Sequence, residues 1–188
     1  MTTMKFILTL TLTMMVSSIA FAQSNEKSET ILKDAVDLSL QKEQIKKYGV
    51  PTVEIVDQMK AKADSLYAAQ MWEQAAGAYE VFAQSANWLS NLISQCVEPY
   101  YSASYDDRKA VPYNTLKTFI PIETKANDYK RQRDEAYVRI GLCYKNLGDI
   151  NNAVTYLHKG LDLLSIDNTT YWLLAKDALS EILGVRSY

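Results

Sequence analysis

One stretch of this sequence, AYVRIGLCYKNLGDINNAVTYLHKG at residues 136–160, leaves few folds open. It reads as two short antiparallel helices joined at Leu147-Gly148-Asp149, because its apolar residues recur at helical spacing. Small residues stand where the helices would touch: Gly141 in the first, Ala153 and Gly160 in the second. Tyr137, Ile140, Tyr144, Val154 and Leu157 fill the gaps between them, and Asp149 can cap the second helix. Such a hairpin has two faces to bury and one partner of its own. A neighbouring element must therefore cover the second face.

The chain supplies candidates for that neighbour. Between Met59 and Phe82, Ala63, Leu66 and Tyr67 fall on one helix, and Trp72, Ala75, Tyr79 and Phe82 on the next. Gln70 stands at the turn. Near the other end, Asp167 or Asn168 can cap a last helix carrying Trp172, Leu173, Ala175, Leu179, Ile182 and Leu183. Tyr171 follows Tyr137 by 34 residues. These units resemble the tetratricopeptide repeat, a helix-turn-helix of about 34 residues, in which many members carry glycine where this chain has Gln70. The resemblance implies an all-α fold: a short right-handed solenoid of helical hairpins with a C-terminal capping helix. Ala75 and Ala153 lie 78 residues apart, two repeat lengths plus ten, which a degenerate middle repeat with an insertion would account for.

The middle segment carries a weaker pattern. Trp88, Leu89, Leu92, Ile93, Cys96 and Val97 are helically spaced, and Pro99 ends or kinks that helix. Residues 102–125 are expected to form an irregular insertion. Any helix there is expected to start near Pro112, because proline is tolerated in a first turn and not in an interior. The helical pattern returns at about Glu123. Tyr100, Tyr101, Tyr105 and Tyr113 cluster in this part of the chain. Tyrosine joins an apolar ring to a polar tip, which suits recognition. The cluster is thus either a binding surface or a loop packed on its own repeats.

The N-terminal residues have a different character. Lys5 precedes an apolar run from Phe6 to Ile19, and Ala20-Phe21-Ala22 offers small residues to a signal peptidase. Residues 1–22 are therefore expected to be a secretory signal, cleaved before Gln23. The residue directly after that site is Gln23 and not cysteine, which speaks against a lipid anchor, and nothing later is apolar enough for a membrane span. An exported protein of the periplasm or extracellular space is expected. Residues 23–50 read as a polar segment and a helix over about 29–47, stopped by Tyr48-Gly49-Val50-Pro51. Residues 51–188 read as the repeat domain, with Thr52 able to start its first helix.

Little in the sequence points to catalysis. The formal net charge is −2 with no basic block, which argues against nucleic acid as a partner. His158 is the single histidine, too few for a characteristic zinc site. No phosphate loop or nucleophile turn is visible. No cofactor and no enzyme activity are expected. Cys96 and Cys143 could form a disulfide in an oxidising compartment or remain buried thiols.

The resemblance implies instead that the first helix of each pair lines a concave groove for a protein or peptide. Carried onto this chain, the groove positions are Asp57, Lys60, Asp64 and Tyr67; then Glu135, Val138, Leu142, Lys145 and Asn146; then Thr169, Trp172, Lys176 and Leu179. Members that clamp a C-terminal carboxylate use asparagine where Asp64 and Leu142 stand here, leaving Lys60 and Lys145 as anion contacts. The expected function is a non-enzymatic interaction scaffold of the cell envelope. The alternative is a small-molecule or glycan-binding protein whose exposed Tyr and Trp stack on sugar rings.

Overall fold

The computed structural model of the chain describes residues 39–165 and 167–185. The expected secretory signal lies outside them, as do residues 29–38 of the expected N-terminal helix. Helix α1, Ser39–Tyr48, belongs to a separate unit, Met1–Val50. It stops where glycine was placed to stop it: Gly49 takes φ +75° and donates its N–H to the Ile45 carbonyl at 2.9 Å.

The second unit, Pro51–Tyr188, carries six helices among the described residues. Helix α2, Val53–Ala68, starts at Thr52, whose hydroxyl accepts from the Ile55 N–H at 3.3 Å. A turn at Gln70 leads into α3, Trp72–Gln95. Gln70 takes φ +59°, the left-handed conformation for which glycine is the usual residue. A five-residue helix α4, Tyr105–Lys109, is capped by Ser104, and α5 then runs for 35 residues, Tyr113–Leu147. Gly148 at φ +78° ends α5, and the Asp149 carboxylate accepts from the Asn152 N–H at 3.1 Å to start α6, Ile150–Leu163. Helix α7, Thr169–Ile182, closes the unit.

All the described elements are helical, as the sequence pattern requires, and the middle segment is the place where the detail differs. No separate helix pair stands between the two hairpins. Trp88, Leu89 and Ile93 continue α3 beyond Phe82, and residues 113–125, expected to be irregular, are the opening turns of α5. The two long helices pack along each other because α3 presents small residues at helical intervals. Ala76, Ala83, Ala86 and Ser90 are buried there, opposite Tyr129, Ala136, Ile140 and Cys143 of α5. Close backbone approach is thus sustained for several turns without a new hairpin. Pro112 sits at the N-cap of α5, as its chemistry favours. Pro121 is inside the helix, where it cannot donate to the Lys117 carbonyl. Both residues lie on an exposed side, so water can satisfy that carbonyl.

Helix α5 serves two cores. One joins α2, α3 and α5 around Val56, Phe82 and Ile140. The other joins α5, α6 and α7 around Val138, Leu157 and Ala175. The fully buried Val, Leu, Ile and Phe side chains among these each contribute about 1.5–3 kcal/mol. The contact of α5 with α6 is reciprocal: Gly141 faces Leu157, and Gly160 faces Val138. In each pair the glycine of one helix makes room for the large side chain of the other.

Candidate functional site

Three helices carry the positions assigned to recognition: α2, the C-terminal half of α5, and α7. By the sequence resemblance each is the first helix of a repeat-like pair or of the cap. On α2 the spacing of three and four residues aligns Asp57, Lys60, Asp64 and Tyr67. The Lys60 ammonium donates to Asp64 at 2.7 Å, and the Tyr79 hydroxyl donates to the other Asp64 oxygen at 2.6 Å. Burial pushes the Asp64 carboxyl up, but the hydrogen bonds from Lys60 and Tyr79 outweigh it and hold the group below the usual carboxylate range. Asp57 accepts from the buried Tyr129 at 2.8 Å.

The centre of this face is a residue the sequence reading passed over. The Arg139 guanidinium lies 4.4 Å from the Tyr67 ring centroid and 5.4 Å from that of Tyr171. It donates to the Tyr171 hydroxyl at 3.3 Å. Arg139 thereby ties α2 to α7 through α5, by the attraction of a cation for aromatic faces. Its Nε is buried and has no hydrogen-bond partner among the described residues. Tyr67 also meets Trp72 edge-on at 5.2 Å. An arginine between apolar neighbours, in YVRIG, was the available signal.

The remaining positions divide. Val138, assigned to the groove, is fully buried against Gly160 and belongs to the core. Adjacent positions on a helix diverge by about 100°, and it is Arg139, one residue on, that occupies the face. Leu142 and Trp172 are half-buried in the second core, with Lys176 5.3 Å above the Trp172 ring. Lys145 pairs with Glu181 of α7. Asn146 is exposed and donates to the Leu142 carbonyl of its own helix at 2.8 Å. Glu135 accepts from Asn168 at 2.8 Å.

A polar cleft of about 420 Å³ opens beside Glu135 and Asn168, between α5 and the α6–α7 connection. Lys130 and Arg131 bring cations to it, and Asp134, Ser165 and Asp167 bring acceptors. Asp134 is buried, which pushes its carboxyl up against the opposing pull of Arg133 at 2.7 Å.

The tyrosine cluster is not one surface. Tyr100 is buried, packed on Phe119 at 5.3 Å and covered by Arg108 at 4.4 Å. Tyr101 is half-buried, donating to Asn127 at 2.9 Å and accepting from Lys130 at 2.7 Å. Tyr105 and Tyr113 are 73% and 69% exposed. Tyr100 is therefore packed on its own chain, while Tyr105 and Tyr113 present their rings to solvent.

The reactive side chains are equally well defined. Cys96 is an exposed free thiol and Cys143 a buried one, so the two are not bridged. Burial pushes the Cys143 thiol up to about 11, which keeps it protonated at neutral pH. His158 is exposed on α6, 3.0 Å from Asp162. Among the described residues no cluster of His, Cys, Asp or Glu could hold a metal ion, and no helix is long and apolar enough to cross a membrane.

Residues 134–163, spanning the C-terminal half of α5, the turn and α6, match the family model of the tetratricopeptide repeat. No curated protein and no solved structure matches the chain.

Proposed function

Because the chain carries a tetratricopeptide repeat at residues 134–163, we propose that it is a non-enzymatic scaffold that binds a protein or peptide across α2, α5 and α7. The observation that carries this reading is the Tyr67–Arg139–Tyr171 ladder, which makes one polar and aromatic strip out of three helices. Aromatic and arginine side chains concentrate binding energy in protein interfaces. Lys60, Lys145, Asn146 and Lys176 add polar groups on the same three helices, and the cleft at Lys130 and Asp134 offers both donors and acceptors to a peptide backbone. The proposal places the partner in the cell envelope, on the secretory-leader layout of Lys5, the apolar run and Ala20-Phe21-Ala22.

The test is capture of partners from native envelope extract, followed by titration of the identified partner. Lys60→Glu combined with Lys176→Glu is expected to weaken binding about tenfold. His158→Ala, on α6, is expected to leave binding unchanged. The opposite pattern, with loss at His158 and none at the lysines, overturns the assignment of the face.

A further inference from the structure

A second site lies away from the repeat face, where α4 meets the opening turns of α5. There a cavity of about 430 Å³ is floored by Leu116 and Ile120 and walled by Tyr100 and Tyr105. Arg108 and Lys109 also line it. We propose that this cavity binds a small amphiphilic carboxylate, its apolar part against Leu116, Ile120 and the Tyr105 ring and its charge at Lys109.

The size falls within the usual range for small-ligand sites, which pair apolar walls with a few charged or polar groups. The charges decide the ligand class. Arg108 is neutralised by Glu123 and stacked on Tyr100. Lys109 has no carboxylate within ion-pair distance among the described residues. Its ammonium sits 4.1 Å from the centroid of Tyr105, at the cavity edge. An apolar pocket with one uncompensated cation complements an apolar anion. A sugar fits poorly, because no Asp, Glu, Asn or Gln side chain lines the cavity to receive its hydroxyl groups.

The surrounding structure leaves the site open. Tyr105 and Ile120 are 73% and 49% exposed, so neither is consumed by the core. Tyr113 and Lys117 supply an internal control: they form a similar exposed pair at 4.8 Å and do not line the cavity.

The experiment titrates the full chain with decanoate and with decanol by calorimetry, with helix content checked by circular dichroism. Decanoate is expected to bind saturably, one per chain. Lys109→Gln should weaken decanoate about threefold and decanol by less than about twofold, the scale of one exposed charge contact. Tyr105→Ala should weaken both, and Tyr113→Ala neither. The proposal is overturned by any of four results: no saturable decanoate binding, binding indifferent to Tyr105→Ala, equal loss of both probes in Lys109→Gln, or adsorption to phosphatidylglycerol vesicles without uptake of free decanoate.

Discussion

Replacing Gly141 with alanine tests the packing of the repeat more sharply than a change at any exposed position. An added Cβ would lie 2.6 Å from Leu157 Cγ, 2.9 Å from its Cδ2 and 3.0 Å from its backbone nitrogen. Leu157 is fully buried, so its side chain has no free space to enter, and its nitrogen moves only if α6 moves. Overpacking of this kind costs about 1–3 kcal/mol, and the backbone contact puts Gly141→Ala towards the upper end. Alanine gains about 1 kcal/mol over glycine in a helix interior, leaving a net loss of about 1–2 kcal/mol. Gly77→Ala, in the second turn of α3, is the control. It is exposed, and an added Cβ meets nothing within 4 Å, so it keeps the whole helical gain of about 0.5–1 kcal/mol. The two variants should differ by about 1.5–3 kcal/mol in urea denaturation followed by circular dichroism. In melting temperature that is roughly 5–12 °C for a unit of this size. If Gly141→Ala is as stable as Gly77→Ala, the close approach of α5 and α6 is not what holds the hairpin.

Other expectations follow from single residues. Gln70→Gly should stabilise the chain by about 1 kcal/mol in the same assay, since Gln70 bears the cost of a left-handed conformation; a loss of stability would mean that its side chain matters more. Asp64 is held below its ordinary pKa in the folded state, so its contribution is present at neutral pH and fades as pH falls below about 4. The stability gap between the natural chain and Asp64→Asn should therefore narrow from pH 6 to pH 3, and a gap that widens contradicts the ion-pair geometry. A thiol reagent should label Cys96 in the native protein and Cys143 only after unfolding. Rapid modification of both would place Cys143 in a more open site.

The hairpin over 134–163 was readable because its pattern is local: small residues face large ones across a turn, and the turn residues declare themselves. The capping roles of Thr52 and Asp149 were readable for the same reason. The long helices were harder. Pro121 signals a break, yet α5 runs through it, because Pro121 and the Lys117 carbonyl it leaves free lie on an exposed side where water can serve. Rotation was the other obstacle. Helix α5 is gripped by two cores at once, and their joint demand sends Val138 inward and Arg139 to the face. A one-residue difference in register has no signature in spacing alone. Nor could spacing separate Tyr100 from Tyr105, which share their chemistry and differ in which neighbours reach them.

The length of α5 sets a distance as well as a packing surface. Ile120, at the cavity, and Arg139, on the repeat face, ride on one helix and stand roughly 28 Å apart along its axis. A molecule engaging both would do so bivalently, with the second contact made at an effective concentration set by its tether. An extended peptide tether would need about nine residues to reach. Shorter tethers would gain nothing from the second contact, and much longer ones would dilute it. The helix would thus act as a ruler that selects partners by reach.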